Sequence, residues 1–148
     1  IQAQILDLIK SLQDEEGMSV LFITHDIATA RYLGENGELY VLYRGEVVER
    51  GPTEQVIARP VHPYTQALLS AVPVLRGREV ASDQRVIPTE PLDERKAGTG
   101  CLFAPRCPFA TDRCRSEHPT LARFEGSGQW HACFLPRPRS VIPVEVPG

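Results

Sequence analysis

The sequence predicts an α/β fold followed by a small, irregular, cysteine-rich metal-binding domain. A helical apolar pattern leads into residues 18–24, a nearly continuous apolar run that contains β-branched residues. Such a run is typical of a strand buried on both faces of a parallel sheet. All four cysteines and nine of the thirteen prolines lie within residues 76–148. Two compositional regimes therefore occupy one chain of 148 residues.

Composition and charge exclude several classes of protein. The chain is 42% hydrophobic and 24% charged, which is typical of a folded globular protein rather than a disordered one. No apolar run reaches the roughly 18–20 residues that a membrane-spanning helix needs. The formal net charge of −3, with ten acidic and five basic residues in residues 1–75, argues against a dedicated nucleic-acid binder.

The beginning of the chain predicts an amphipathic helix. Apolar residues recur at helical spacing over residues 1–12, and acidic residues 14–16 followed by Gly17 end the pattern. The pattern is already helical at Ile1, and no secretory signal is visible there. We therefore expect the sequence to be a fragment of a longer protein.

Residues that favour caps and turns predict the next elements. Asp26 is a suitable N-cap for a helix over residues 27–33. Two short strands, over residues 39–43 and 46–50, flank Arg44-Gly45 and predict a hairpin.

Two further helices are predicted after the hairpin. Thr53 is expected to cap a short helix that ends at Ala58. Pro63 is suited to the first position of a helix that ends near Ala71, because its fixed φ matches the first helical turn.

His25 is the candidate functional residue of the first half. It follows the predicted strand at its carboxyl end, which is where ligands bind in open α/β sheets. An imidazole there can donate a hydrogen bond to a phosphate oxygen or orient an attacking water molecule. From position alone, a capping or packed histidine is the more common outcome.

Four segments connect the sequence to a known family. Residues 20–26 (VLFITHD) resemble the switch-histidine segment of ABC-transporter ATPase domains. Residues 1–12 and 43–51 resemble the helix after the D-loop and the hairpin after that histidine. Residues 62–69 (HPYTQALL) resemble the C-terminal extension of the ATP-binding subunits of oligopeptide and dipeptide importers. The resemblance implies the C-terminal end of a P-loop ABC ATPase domain.

The resemblance also implies a role for His25. This residue matches the family histidine that contacts the γ-phosphate of ATP and helps to position the attacking water, whereas Asp26 suits a helix cap. The glycine-rich phosphate loop, the signature motif and the acidic Walker B residues have no counterpart here, and such groups supply most of phosphoryl-transfer catalysis. We therefore expect ATP and Mg²⁺ to be cofactors of the parent protein, and no ATP hydrolysis by this chain alone.

Partners and location follow from the same resemblance. The parent protein would lie peripherally on the cytoplasmic face of the plasma (inner) membrane, beside a second ATP-binding subunit and membrane-spanning permease subunits. A peptide-binding protein would be an indirect partner, and no nucleic acid is expected. The implied function is to power import of oligopeptides or dipeptides. The alternative is a non-catalytic metal-binding regulatory or dimerisation module, and a zinc-finger nucleic-acid binder is a weaker third.

The cysteines are spaced C-x5-C-x6-C-x18-C over residues 101–133. Such a cluster indicates a staple made of two disulfides, a zinc ion or an iron–sulfur cluster. Disulfides are disfavoured because the ATPase-like half belongs in the reducing cytosol. Zinc sites usually contain short C-x2–4-C pairs, and bacterial ferredoxins have a different spacing, so chemistry alone leaves zinc and iron–sulfur equally open.

A resemblance favours the iron–sulfur alternative. Residues 100–110, Cys114 and residues 131–133 resemble the cysteine motif at the end of many peptide-importer ATPase subunits, which is associated with a 4Fe-4S cluster in that family. The implied ligands are Cys101, Cys107, Cys114 and Cys133. We expect a structural staple rather than a redox or iron sensor.

Several neighbours of the cysteines have subsidiary predicted roles. His118 and His131 are alternative ligands if the metal is zinc, although a surface or supporting role is favoured for both. Nearby basic side chains could offset the negative charge of a thiolate-bound cluster; they are Arg106, Arg113 and Arg115.

The predicted organisation has five parts. They are the C-terminal part of an ABC ATPase domain (1–58), an importer-type helical extension (59–75), a linker (76–97), a four-cysteine domain (98–135) and a proline-rich, extended or disordered tail (136–148).

Overall fold

The computed structural model describes residues 2–71 and 99–139. The predicted linker, residues 76–97, lies outside the described residues, and so does most of the predicted tail. The helices are α1 (Gln2–Glu16), α2 (Ile27–Leu33), α3 (Thr53–Ala58), α4 (Pro63–Ser70) and α5 (Asp112–Ser116). The strands are β1 (Glu38–Tyr43), β2 (Glu46–Pro52), β3 (Ala122–Arg123) and β4 (Trp130–His131).

The predicted strand over residues 18–24 is wrong for this chain. These residues form no regular element, and the side chains of Leu21 and Ile23 are each 89% exposed. A strand buried on both faces needs partner strands at its edges and packed layers on its faces. The described parts of the chain supply neither, because their sheet is antiparallel and is formed by later residues.

The helix after this segment begins as predicted. The Asp26 carboxylate accepts hydrogen bonds from the backbone N–H groups of Ala28 (3.1 Å) and Thr29 (3.3 Å), and from the Thr29 hydroxyl at 2.5 Å. These bonds satisfy donors that the first turn of α2 leaves without intrahelical partners. The hydrogen bonds also hold the pKa of the Asp26 carboxyl below its usual value, with the Thr29 hydroxyl the largest cause.

The predicted hairpin is confirmed. β1 and β2 pair antiparallel through a two-residue turn at Arg44 and Gly45, whose φ angles are 51° and 85°. Positive φ at both turn residues is the arrangement that matches the right-handed twist of paired strands. Each strand runs slightly further than the sequence predicted.

The two helices after the hairpin are also present. α4 begins at Pro63 as predicted, and its N-cap is His62, whose Nδ1 accepts a hydrogen bond from Tyr64 N at 3.0 Å. The prediction for Thr53 is wrong in detail, because Thr53 is the first helical residue of α3 and not its cap. Its hydroxyl donates instead to the carbonyl oxygen of Gly37 at 3.1 Å.

The cysteine-containing segment shares a sheet and a core with the hairpin. The strand order is β1-β2-β4-β3, and Glu49 of β2 lies opposite His131 of β4. Phe103 is 1% exposed and belongs to one hydrophobic cluster with the buried side chains of the hairpin and α3, which are Val41, Tyr43, Val48 and Val56. The result is a small mixed α/β unit in which the cysteine segment packs against β1, β2 and α4.

Candidate functional site

The four cysteines line one small pocket. Its empty volume, open solvent included, is about 350 Å³, and all four cysteines are free. Its other lining residues come from the start of α4 and from the cysteine segment; they are His62, Pro63, Phe103, Ala104, Phe109, Phe134 and Leu135. The fold therefore brings together residues that are as far apart in sequence as Cys101 and Cys133.

The backbone fixes the first three cysteines relative to one another. Cys101 N donates to the carbonyl oxygen of Cys114 at 2.8 Å, and Cys107 N donates to that of Ala104 at 3.3 Å. Gly100 permits the first contact, because a Cβ there would lie 2.5 Å from the carbonyl carbon of Arg115. A side chain at position 100 would therefore separate the two backbone segments.

The fourth cysteine follows the end of β4. Ala132 N donates to Val48 O at 2.9 Å, which ties this point of the chain to β2. Beyond it, Leu135 N donates to Cys133 Sγ at 3.4 Å. Backbone N–H donors aimed at a sulfur favour its thiolate form and are frequent around metal-bound cysteines.

An aromatic cluster holds the cysteine segment against the rest of the fold. The Phe103 ring meets those of Tyr43 and Tyr64 edge-to-face, at centroid distances of 5.4 and 5.5 Å, and lies 6.0 Å from the His62 ring. Aromatic pairs in these geometries contribute about 0.5–1.5 kcal/mol beyond the apolar area that they bury. Phe103 thus anchors the loop between Cys101 and Cys107.

The surroundings of three thiols, those of Cys101, Cys107 and Cys133, raise the pKa of each and so favour its protonated form. Burial is the largest cause of the raised pKa of Cys101 and Cys107, and it raises the pKa of Cys133 to about 11. The other cysteines raise these pKa values further, because neighbouring thiolates repel one another. A bound metal would reverse this balance, since coordination to a cation deprotonates a thiol.

The structure separates the candidate histidines. His118 pairs with Glu46 at 2.9 Å and lies near the carbonyl oxygen of Gly100 at 3.3 Å, outside the pocket. His131 is buried in β4 and does not line the pocket, and burial lowers its pKa. His62, for which the sequence predicted only a helix start, does line the pocket. The pocket lining thus contains His62 and neither of the predicted alternative ligands.

The basic residues also differ from the prediction. Arg113 pairs with Glu117 at 3.0 Å and stacks on Phe134 at 4.2 Å from the ring centroid, so its charge is already partnered. Arg137 lowers the pKa of Cys107 electrostatically and lies 4.7 Å from the Phe109 ring centroid. Sequence analysis missed Arg137 because it lies in the segment predicted as a tail.

A buried carboxylate supports one side of the pocket. Glu49 is fully buried, and its side chain accepts hydrogen bonds from the backbone N–H groups of Val61 and His62, both at 2.9 Å. Gln129 Nε2 is a third donor to the same carboxylate at 3.3 Å. Burial raises the pKa of Glu49, while these hydrogen bonds oppose the rise. Nothing in the local sequence distinguishes Glu49 from an exposed strand residue.

His25 lies apart from the cysteine pocket. Its side chain is exposed, and it follows the exposed apolar segment 18–24 directly. The cap at Asp26 fixes the backbone on its C-terminal side. The described residues therefore leave the imidazole accessible to a ligand.

The chain has similar relatives among known proteins. Over 141 residues the chain is 40% identical to the probable peptide ABC transporter ATP-binding protein y4tS of Sinorhizobium fredii, covering 93% of this chain and 38% of that protein. It is 40% identical over 139 residues to the dipeptide transport ATP-binding protein DppD of Escherichia coli, covering 92% of this chain and 40% of that protein. The chain is thus similar in sequence to peptide ABC transporter ATP-binding proteins.

A family model matches the middle of the chain. Residues 48–114 match the family described as "Oligopeptide/dipeptide transporter, C-terminal region". The match includes β2, α3, α4 and the first three cysteines. The chain spans about two fifths of the length of the curated relatives it matches and corresponds to their C-terminal region. These relatives favour the transporter interpretation over a regulatory or dimerisation module.

The described residues were also searched for membrane-spanning helices and for groups that could hold a metal ion. No helix within residues 2–71 and 99–139 is long and apolar enough to cross a membrane. In the same residues, no group of three or more His, Cys, Asp or Glu side chains is arranged to hold a metal ion.

Proposed function

We propose that this chain is the C-terminal region of the ATP-binding subunit of an ABC importer of oligopeptides or dipeptides. The observation that carries this proposal is the match of residues 48–114 to the oligopeptide/dipeptide transporter C-terminal region. In the whole protein, ATP hydrolysis at paired subunits would drive uptake through permease subunits in the inner membrane, with a peptide-binding protein delivering the substrate. The substrate class rests on these relatives, because no residue described here contacts a peptide.

The exposed apolar segment supports a place in a larger assembly. Met18, Phe22 and Ile23 are exposed over one short stretch, although isolated apolar side chains are normally scattered on a surface. We infer that the remainder of an ATPase domain covers this segment. This inference also accounts for the apolar side chains that α1 exposes, Ile5 and Leu8.

His25 would contact the γ-phosphate of ATP in that subunit. Its imidazole is accessible, and the capped start of α2 fixes the adjacent backbone. A histidine N–H can donate to a phosphate oxygen and orient the attacking water. ATP and Mg²⁺ would be held mainly by residues without a counterpart in this sequence, so the chain alone is expected to be inactive as an ATPase.

For the cysteines we propose a 4Fe-4S cluster, with zinc as the alternative. All four thiols line one pocket, which supports a single site that they share. The resemblance of the cysteine motif to that of peptide-importer ATPase subunits favours the cluster over zinc. When bound, the cluster would crosslink the two parts of the cysteine segment.

A chimaera tests the transport proposal. This chain replaces the corresponding C-terminal region of DppD from Escherichia coli, and dipeptide uptake is measured in a strain that lacks its own DppD. We expect uptake with the chimaera and loss of at least about 100-fold with His25→Ala, since a phosphate contact supplies several kcal/mol to the transition state. His118→Ala is the matched control and should retain uptake. A chimaera that binds ATP but gives uptake independent of His25 would contradict the role of this residue.

Metal analysis tests the cysteine proposal separately. Iron, zinc and acid-labile sulfide are measured on anaerobically purified chain, together with the visible spectrum. We expect about four iron and four sulfide per chain, the content of a 4Fe-4S cluster. One tightly bound zinc without sulfide would support the alternative, and neither metal after reconstitution would refute a four-cysteine site.

A further inference from the structure

We propose that residues 134–139 form a strap that covers the cysteine pocket, and that Gln66 is the positioning residue that holds this strap closed. The strap directly follows Cys133, the last of the four cysteines. Opening of the strap gives solutes and metal ions access to the thiols. The consequence for a metal rests on the function proposed for the cysteines, whereas the hold of Gln66 on the strap rests only on contacts among described residues.

The first part of the strap lies between the cysteine pocket and solvent. Phe134 and Leu135 line the pocket together with all four cysteines. Leu135 is also 37% exposed, so one side of it meets solvent while another side faces the pocket. Leu135 N donates to Cys133 Sγ at 3.4 Å, which joins this wall directly to one thiol. Movement of the strap therefore uncovers Cys133.

The second part of the strap is fastened to the loop that precedes α4. Arg137 N donates to Val61 O at 3.0 Å, and Arg139 N donates to Pro60 O at 3.2 Å. The two strap residues that alternate with these arginines are prolines, which have no N–H group. Every backbone N–H group of residues 136–139 thus binds this buried loop.

Gln66 of α4 holds the strap through a second backbone group of the same arginine. Its Nε2 donates to the carbonyl oxygens of Arg137 and Pro60, the latter at 3.1 Å. Both partners are acceptors, so only the NH₂ end of the amide can serve them. Gln66 is 1% exposed, and a buried hydrogen bond of this kind is costly to lose. Arg137 is therefore held through its N–H by Val61 and through its carbonyl by Gln66.

The exposure of the strap allows it to open locally. Residues 137–139 are all exposed. The Arg137 guanidinium lies 4.7 Å from the centroid of the Phe109 ring, which lines the pocket, but a cation–π contact at an exposed site is weak. Segments with exposed backbone hydrogen bonds and few buried apolar contacts open at a low cost in free energy. Loss of the Gln66 hydrogen bond should therefore release the strap while the rest of the fold stays intact.

Three variants separate a hold on the strap from a general effect on stability. Gln66→Met keeps the length of the side chain and removes both N–H donors. Removal of residues 137–148 deletes the fastened part of the strap and leaves Phe134 and Leu135 in place. Removal of residues 140–148 is the matched control, because it also shortens the chain but retains the contacts of the strap. Gln66→Met is also combined with removal of residues 137–148.

The first measurement is the alkylation rate of Cys133 in the reduced, metal-free chain, resolved by mass spectrometry and referred to glutathione in the same mixture. Loss of one buried hydrogen bond makes local opening about fivefold more frequent, so Cys133 should react about fivefold faster in Gln66→Met. Removal of residues 137–148 should accelerate it at least as much, and removal of residues 140–148 should change it by less than about twofold. Unchanged Cys133 reactivity in Gln66→Met would overturn the proposal.

The combined variant and the dependence on urea distinguish a released strap from a weakened fold. Gln66 acts through the strap, so Gln66→Met should change the Cys133 rate by less than about twofold once residues 137–148 are absent. The rate in Gln66→Met should also depend little on urea below the unfolding transition, because opening the strap exposes little surface. A further fivefold acceleration in the combined variant would overturn the proposal. So would a rate that rises with urea as steeply as global unfolding.

The second measurement uses the metal-loaded chain. Loss of the metal to a chelator should be about fivefold faster in Gln66→Met than in wild type or in the chain without residues 140–148, because the metal leaves when the strap opens. Equal rates in all three would overturn the role of the strap in metal access. A wild-type chain that takes up neither iron nor zinc would refute the function proposed for the cysteines alone, because Cys133 reactivity still decides whether Gln66 holds the strap.

Discussion

Apolar side chains have opposite surroundings in two regions of this molecule. Residues 18–24, with Ile5 and Leu8 of α1, present apolar side chains to solvent. The unit formed by residues 38–71 and 99–139 instead buries Val56, Val61 and Phe103 almost completely. Both regions contain a continuous apolar run, over residues 20–23 in the exposed region and over residues 39–43 in β1 of the buried unit. An apolar pattern therefore indicates that a segment needs a partner, but it does not indicate whether the described residues supply one.

The buried unit has its partners within its own residues. β2 pairs with β1 on one edge and with β4 on the other, and Phe103 fills the space between β1 and α4. Residues 18–24 pair with no strand of the described sheet. Substitutions in the two regions should consequently differ in their effect on the free energy of unfolding.

The largest difference is expected between two phenylalanines. Phe103→Ala should lower the free energy of unfolding by about 3–5 kcal/mol, because it removes a fully buried ring and leaves a cavity. Phe22→Ala, at a position that is 42% exposed, should cost less than about 1 kcal/mol. Urea unfolding of the reduced chain checks both values. Equal effects would mean that the two regions do not differ as described.

The next largest effect is expected in the pH dependence of the free energy of unfolding, to which the buried unit contributes through His62. Its buried His62 has a pKa of about 4 in the fold and about 6.5 when unfolded, so the unfolded state binds the extra proton between these values. Stability should therefore rise from pH 4 to pH 6.5, by up to about 3 kcal/mol. The raised pKa of Glu49 acts in the opposite direction, since its stabilising proton is lost as pH rises.

The contribution of His62 to this pH dependence is obtained by comparing wild type with a variant that lacks the imidazole. Unfolding free energies of wild type and His62→Asn are compared at each pH in metal-free, reduced protein, so that Glu49 and His131 contribute equally to both. The difference should grow with pH over this window. A difference that stays constant from pH 4 to 6.5 would show that His62 has no lowered pKa in the fold.

Gly100→Ala should have an intermediate effect. A Cβ at this position meets the backbone of Cys114 and Arg115, so the hydrogen bond from Cys101 to Cys114 must break or shift. We expect a loss of about 1–3 kcal/mol, as for other overpacked sites. Gly37→Ala is the control, because its Cβ would meet nothing closer than 3.5 Å. Thermal unfolding of both variants measures these losses. Equal losses of stability in Gly100→Ala and Gly37→Ala would contradict the prediction.

The smallest effect is expected in the exposed region. Ile23→Ser should change the free energy of unfolding by less than about 0.5 kcal/mol, since Ile23 is 89% exposed. Self-association measured by sedimentation should decrease, because an exposed apolar side chain is removed. A large loss of stability would indicate that residues 18–24 pack within the chain.

Local signals in the sequence predicted the elements that local chemistry determines. Asp26 caps α2, Arg44-Gly45 forms the hairpin turn, and Pro63 begins α4, each through contacts within a few residues. The strand over 18–24 was not found, because its burial depends on partners outside its own segment. Thr53 formed a tertiary hydrogen bond to Gly37 in place of the predicted cap.

The site was predictable in part. The spacing and resemblance of the cysteines selected four residues that line one pocket. The supporting residues could not be identified, because His62, Glu49 and Arg137 reach the pocket only through contacts between distant segments. His62 even lies in the segment 62–69 that carries the family resemblance, but the sequence predicted only a helix start there.

The pairing of β4 with β2 has a consequence for how the chain folds. Glu49 and Gln129, which join across it, are 80 residues apart. The length-dependent part of the entropy cost of closing such a loop is about 4 kcal/mol. The hairpin at Arg44-Gly45 has only a two-residue loop to close, and hairpins form within about 1–10 μs. The hairpin should form early and the cysteine segment should dock late. Trp130, the single tryptophan, lies in β4 with the Arg50 guanidinium 5.1 Å from its ring, so its fluorescence reports that slow docking during refolding.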